Sequence, residues 1–198
     1  MRRLVVACLG VALCCGGALA QSAPTQRVVG SIESVDGRVL TVKTRQGEVK
    51  VRLTDKAAVF GVISATLADI KPGDFIGAGA MPMADGSQRA MQVMIFSESQ
   101  RGTGVGHRPW IHPGSTMTNA TVDTSVASVQ GRTVTVRYPD GEQRIVVPPE
   151  ATIRAYVAGE RSELKPGAHI SIVSAVKKPD GTLEAGRVNV GRDGVVPQ

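Results

Sequence analysis

The sequence predicts an all-β protein made of two similar five-stranded units. Three observations carry that expectation. Lys71-Pro72-Gly73 returns as Lys165-Pro166-Gly167, 94 positions later, and the residues around it repeat as well. Short stretches alternate polar and apolar residues between Asp-Gly turns, the period-two pattern of half-buried strands. No segment sustains the 3.6-residue period of an amphipathic helix.

The repeat can be read position by position. At the offset of 94, Gly37-Arg38 matches Gly131-Arg132, and Thr41-Val42-Lys43 matches Thr135-Val136-Arg137. Gly47-Glu48 matches Gly141-Glu142, and Ala57 matches Ala151. Beyond the Lys-Pro-Gly the offset is 95: Asp85-Gly86 matches Asp180-Gly181, Ala90 matches Ala185, and Val93 matches Val188. One residue inserted in a strand or turn accounts for the change. A unit of about 70 residues repeated once reads as a tandem pair of domains, because solenoids use shorter periods and more copies. The expected division is a leader at 1–20, a first unit at 21–96, a connection at 97–120 and a second unit at 121–198. Each unit lies near the lower size limit for a core of its own, which gives the two a reason to pack together.

In the first unit, residues 28–35 alternate well enough for a strand. Residues 38–43 follow across Asp36-Gly37, a strong hairpin signal between β-branched runs. In residues 48–53, Val49, Val51 and Leu53 share one face and Glu48, Lys50 and Arg52 the other. Residues 54–70 are less regular, with a short strand near Val59 and a helical turn near Leu67. Pro72 stops any helix, and Gly73 permits the tight turn after it. Residues 75–81 and 89–96 are the fourth and fifth strands. The second unit repeats this plan at 121–128, 132–138, 142–147, 168–176 and 183–190, with a turn at 160–164. Five short strands with an irregular excursion between the third and fourth follow the plan of the oligonucleotide/oligosaccharide-binding (OB) barrel. Closing such a barrel removes exposed sheet edges. Two tandem five-stranded OB-like barrels are therefore expected, with small β-sandwiches as the alternative.

Gly37-Arg38-Val39-Leu40-Thr41-Val42, residues 67–73, and Asp85-Gly86 followed by Ala90 resemble an exported bacterial family of unknown function built from OB-like β-barrel domains. Gly106-His107-Arg108-Pro109-Trp110, with Ser115-Thr116-Met117-Thr118-Asn119-Ala120, is similar to a signature of a two-copy subset. The resemblance covers nearly all of the chain after the leader. It implies tandem barrels and no particular activity.

The leader has the pattern of a cleavable secretory signal. Arg2 and Arg3 precede an apolar run that ends in Ala18-Leu19-Ala20, a small-x-small cleavage pattern. That run is broken by Gly10, Gly16 and Gly17 and is shorter than a bilayer span, so no transmembrane segment is expected in the mature chain. The expected location is periplasmic or secreted. Cys8, Cys14 and Cys15 are the only cysteines and all lie in the leader. The mature chain thus has no thiol for a disulfide, for catalysis or for a metal. Its net charge is +6 with the leader and +4 without Arg2 and Arg3. The excess is thinly spread: nine basic against seven acidic residues in the first unit, and ten against nine in the second. That favours solubility and weak attraction to anionic surfaces.

The connection at 97–120 holds the chemistry. It contains the one tryptophan, Trp110, and two of the three histidines, His107 and His112. Gly102, Gly104, Gly106, Pro109 and Pro113 suit a linker, but a tryptophan between histidines does not belong in one. Trp110 is expected to wedge between the two barrels. His107, Arg108, Trp110 and His112 are the candidates for ligand contact, since loops on rigid scaffolds often carry function. A copper site built from His107, His112, Met81 and Met83 is a weaker reading. Imidazole and thioether ligands suit Cu(I), but methionine also fills cores. The set is similar to a small-barrel copper chaperone in inventory only, and no cofactor is expected.

Nucleic acid is not the expected partner. Lys43, Arg45, Lys50 and Arg52 make one hairpin basic, but Phe60, Phe75, Phe96, Trp110, Tyr138 and Tyr156 are the only aromatics, too few for base stacking. No nucleophile elbow, zinc-protease helix or phosphate-cradling loop is present. The expected function is non-enzymatic: a binding or assembly module of the cell envelope, with a protein or an envelope polymer as partner. A metal-handling protein is the alternative.

Overall fold

The alternating stretches form strands with their apolar residues turned inward. In a computed structural model that describes residues 24–123 and 129–197, the strands are β1 (Thr25–Asp36), β2 (Val39–Thr44), β3 (Gly47–Ser64), β4 (Phe75–Pro82) and β5 (Gln88–Ile95). They continue with β6 (Gly106–Pro109), β7 (Thr116–Val122), β8 (Val129–Gln130), β9 (Thr133–Tyr138) and β10 (Gly141–Val146), then β11 (Thr152–Ala158), β12 (His169–Lys177) and β13 (Leu183–Gly191). Three one-turn 3-10 segments complete the secondary structure, and no α-helix occurs among the described residues. The protein is all-β, as its periodicity predicts. The expected leader at 1–20 lies outside the described residues, as does 124–128 of the strand expected at 121–128. No described helix is long and apolar enough to cross a membrane.

The strand pairings close twice. β1 pairs with β2, β2 with β3, β3 with β13, β13 with β12, and β12 returns to β1. The second circuit runs β7, β9, β10, β5, β4 and back to β7. Each circuit has one parallel contact, β3 with β13 and β10 with β5; the other contacts are antiparallel. Each therefore takes its first three strands from one repeat and its last two from the other.

The cores divide in the same way. One packs Val28, Leu40 and Val51 of the first repeat against Ile170, Ile172 and Val188 of the second. The other packs Ile76, Ala78 and Val93 against Val134, Val136 and Ile145. The expectation that each repeat encloses its own interior is thus corrected. The cause lies in residues 54–70. Read as an irregular excursion, they instead extend the third strand into an 18-residue β3 that carries the chain out of the first circuit and into the second. The equivalent stretch of the second repeat is interrupted between β10 and β11, where Pro148 and Pro149 replace Thr54 and Asp55. Proline has no N–H with which to continue a ladder.

β11 and the end of β3 join the two circuits antiparallel. Phe60 pairs with Ala158, and Ser64 with Arg154; these rungs exchange under the offset of 94. Val62 pairs with Tyr156, its own counterpart. A pseudo-twofold axis therefore passes through that rung.

The connection is shorter than expected. Val122 pairs with Val136 as Ile32 pairs with Val42, so β7 is the first strand of the second repeat, at an offset of 90. Residues 116–120 belong to that strand. Only β6 and its flanking turns lack a counterpart.

Candidate functional site

β6 and β7 form a hairpin that presents Trp110 at its tip. The tip is pinned from within. The Trp110 N–H donates to the Ser115 carbonyl at 2.9 Å, and the Ser115 hydroxyl donates to the His112 carbonyl at 2.7 Å. Ser115 is buried. The indole lies over Gly79 of β4, where a Cβ would come within 2.6 Å of the ring. Glycine at 79 is thus the condition for seating the tryptophan. Trp110 is not the expected wedge between the barrels: it covers the outer face of the second circuit and is half-buried. One edge of the ring reaches a small hollow of about 160 Å³, shared with Arg27 of the first circuit and with Met91, Gln92 and Thr152.

The expected ligand-contact residues do come together. His107, Arg108, Trp110 and His112 line one open hollow of about 580 Å³, with Ser115 and Thr116 at its base. The Arg108 guanidinium donates to the Gly104 carbonyl at 2.7 Å, and His112 stands edge-on to Trp110 at 5.4 Å. Ile111 is 65% exposed, and Met81, Met83 and Met91 are exposed as well.

The metal candidates have separate partners. His107 places Nδ1 2.8 Å from the Thr118 hydroxyl and stacks on Tyr138. The Met83 sulfur accepts from the Ser87 hydroxyl at 3.4 Å, while the Met81 methyl lies beside Gly114. Among the described residues, no group of three or more His, Cys, Asp or Glu side chains is placed to hold a metal ion, which leaves a mixed His and Met set untested.

A second cluster was not singled out by the sequence reading. At the seam between circuits, the Arg187 guanidinium lies 4.7 Å from the centre of the Phe60 ring and 5.0 Å from that of Tyr156. Phe96 and Phe75 extend the aromatic packing. Burial pushes the Tyr156 phenol above its ordinary pKa, against the opposing pull of Arg187, Arg27 and Arg154. Burial also lowers Arg187 and Arg154. Among the described residues no carboxylate is paired with any of these three arginines. Their repeat counterparts are Gln92 for Arg187, Phe60 for Arg154 and Met117 for Arg27, none of them charged.

No family model, no curated protein and no solved structure matches the chain.

Proposed function

We propose that the chain is an exported, non-enzymatic binding module of the cell envelope that takes a glycan on the Trp110 hairpin. The observation that carries this reading is the half-buried indole, seated on Gly79 beside a hollow that His107, Arg108 and His112 also line. An aromatic face with a few convergent polar groups is the general form of a small-ligand site, and sugars present both an apolar ring face and hydroxyls. The leader pattern at 1–20 supports export. The strand order in both circuits, with its one parallel contact, supports reading them as OB-like barrels, here assembled by exchange between the repeats.

Trp110 is the only tryptophan, so its fluorescence reports on this hairpin alone. Titration with soluble cell-wall glycan fragments is expected to shift its emission in a saturable way. His112→Ala and Ile111→Ala are expected to weaken that binding without changing the melting temperature. A flat titration up to millimolar glycan would overturn the reading. Gly79→Val is expected to dislodge the indole and red-shift its emission before any ligand is added, because the new side chain occupies the ring's seat. Trp110→Ala should cost only about 1–2 kcal/mol, below a fully buried aromatic truncation, because the ring is half-buried. Chemical denaturation measures that cost.

A further inference from the structure

The two barrels differ at one edge. In the second, the first half of β7 is covered on its outer side by β6, with Gly106, His107, Arg108 and Pro109 opposite Asn119, Thr118, Met117 and Thr116. At the offset of 90, those four β7 positions correspond to Val29, Val28, Arg27 and Gln26 of β1. Among the described residues this half of β1 pairs only with β12, and its pairing with β2 begins at Ser31. The uncovered side is a groove of about 180 Å³. Its β1 lining is Gln26, Arg27, Val28 and Val29, the same four positions. Its far wall includes Thr44, the repeat counterpart of Tyr138, on which the β6 residue His107 stacks.

We infer that this groove is a strand-addition site for an extended acidic peptide segment of a partner protein, which would lie along β1 as β6 lies along β7. An open sheet edge supplies unpaired backbone donors and acceptors, and adding a strand satisfies them. Ile32 turns its N–H and C=O toward the β12 side, bonding to Ala168 and Gly167. Two-residue alternation then turns the backbone groups of Val29 into the groove. Charge selects the peptide: Arg27 and Arg45 are the only charged residues in the lining. Acidic side chains at alternate positions of an added strand would meet them, a complementarity that steers encounter and sets register. The site lies on the opposite barrel from the Trp110 hairpin's own seat, so neither proposal depends on the other.

The test uses the mature chain and two synthetic eight-residue peptides of alternating Thr and Val, one carrying glutamates and the other lysines. The expected result is saturable binding of the glutamate peptide, with slowed exchange of the Val29 amide and no slowing on β7. Val29→Pro removes the donor at an edge position where proline is tolerated, and is expected to abolish binding while the melting temperature holds. Should that variant fold poorly, Arg27→Glu with Arg45→Glu leaves the backbone intact. It is expected to weaken the glutamate peptide by roughly tenfold or more and to admit the lysine peptide. The inference is overturned by no saturable binding at millimolar peptide, or by binding that neither variant changes. It is also overturned if slowed Val29 exchange depends on protein concentration without peptide, because the occupant is then a second copy.

Discussion

Residues 24–96 produced alone are expected to give no folded monomer. This piece holds a complete first repeat, yet it supplies three strands to one circuit and two to the other. Cut off from the second repeat, Val28, Leu40 and Val51 lose Ile170, Ile172 and Val188, while Ile76 and Val93 lose Val134 and Ile145. Both cores are halved and both circuits are left with open edges. The expected loss is the whole folding free energy, roughly 5–15 kcal/mol for a domain. Two copies of the piece can restore the missing contacts by exchanging strands with each other, because the repeats fill equivalent positions. Folding of the fragment is therefore expected to appear only with dimerisation and to depend on concentration. Mixing fragments 24–104 and 105–197 is expected to rebuild the intact protein, since the chain between Arg101 and Val105 is exposed and the single break falls there. Circular dichroism with sedimentation at several concentrations checks all three outcomes. A sharp, concentration-independent melt of 24–96 as a monomer would sink the exchanged architecture.

That result also marks what could be read from the chain alone. The strands were legible because each has one wet and one dry face, so Val49, Val51 and Leu53 declare themselves by alternation. The repeat was legible through Lys-Pro-Gly and the Asp-Gly turns. Partner choice was not legible. Val93 and Val188 fill equivalent positions in opposite cores, and their side chains carry no label saying which repeat should receive them. The one clue lay in residues 54–64, which contain neither proline nor a strong turn signal and so extend β3, whereas the matching stretch is broken at Pro148-Pro149. The Trp110 region was recognised as the least ordinary stretch, but its seat was hidden. It depends on Gly79, a residue 31 positions away whose significance is the absence of a side chain. The arginine seam was missed for a similar reason: Arg27, Arg154 and Arg187 are far apart in sequence, and each alone reads as an ordinary strand-surface cation.

Gly30→Ala is expected to be among the most damaging single substitutions in the chain. β1 changes neighbour here: Gly30 is the counterpart of Ile170 on β12, and the next residue, Ser31, begins the pairing with β2 through Lys43. The strands approach so closely that a Cβ at this position would overlap the Lys43 carbonyl oxygen, with the Val42 side chain also tight against it at 3.0 Å. A backbone carbonyl cannot swing aside as a long side chain can. The first circuit must therefore spread between β1 and β2, at a cost of order 3 kcal/mol or more, the upper part of the range for overpacking. The second circuit provides the control. Its counterpart at the offset of 90 is Ala120, fully buried in the core, so the backbone there accommodates a methyl group. Ala120→Gly is expected to cost about 1 kcal/mol, from backbone entropy and a methyl-sized void. Urea denaturation of the two variants side by side decides the matter. Equal losses would mean that the close crossing at Gly30 does not limit the closure of the first circuit, and that β2 can move away from β1 without breaking its ladder with β3.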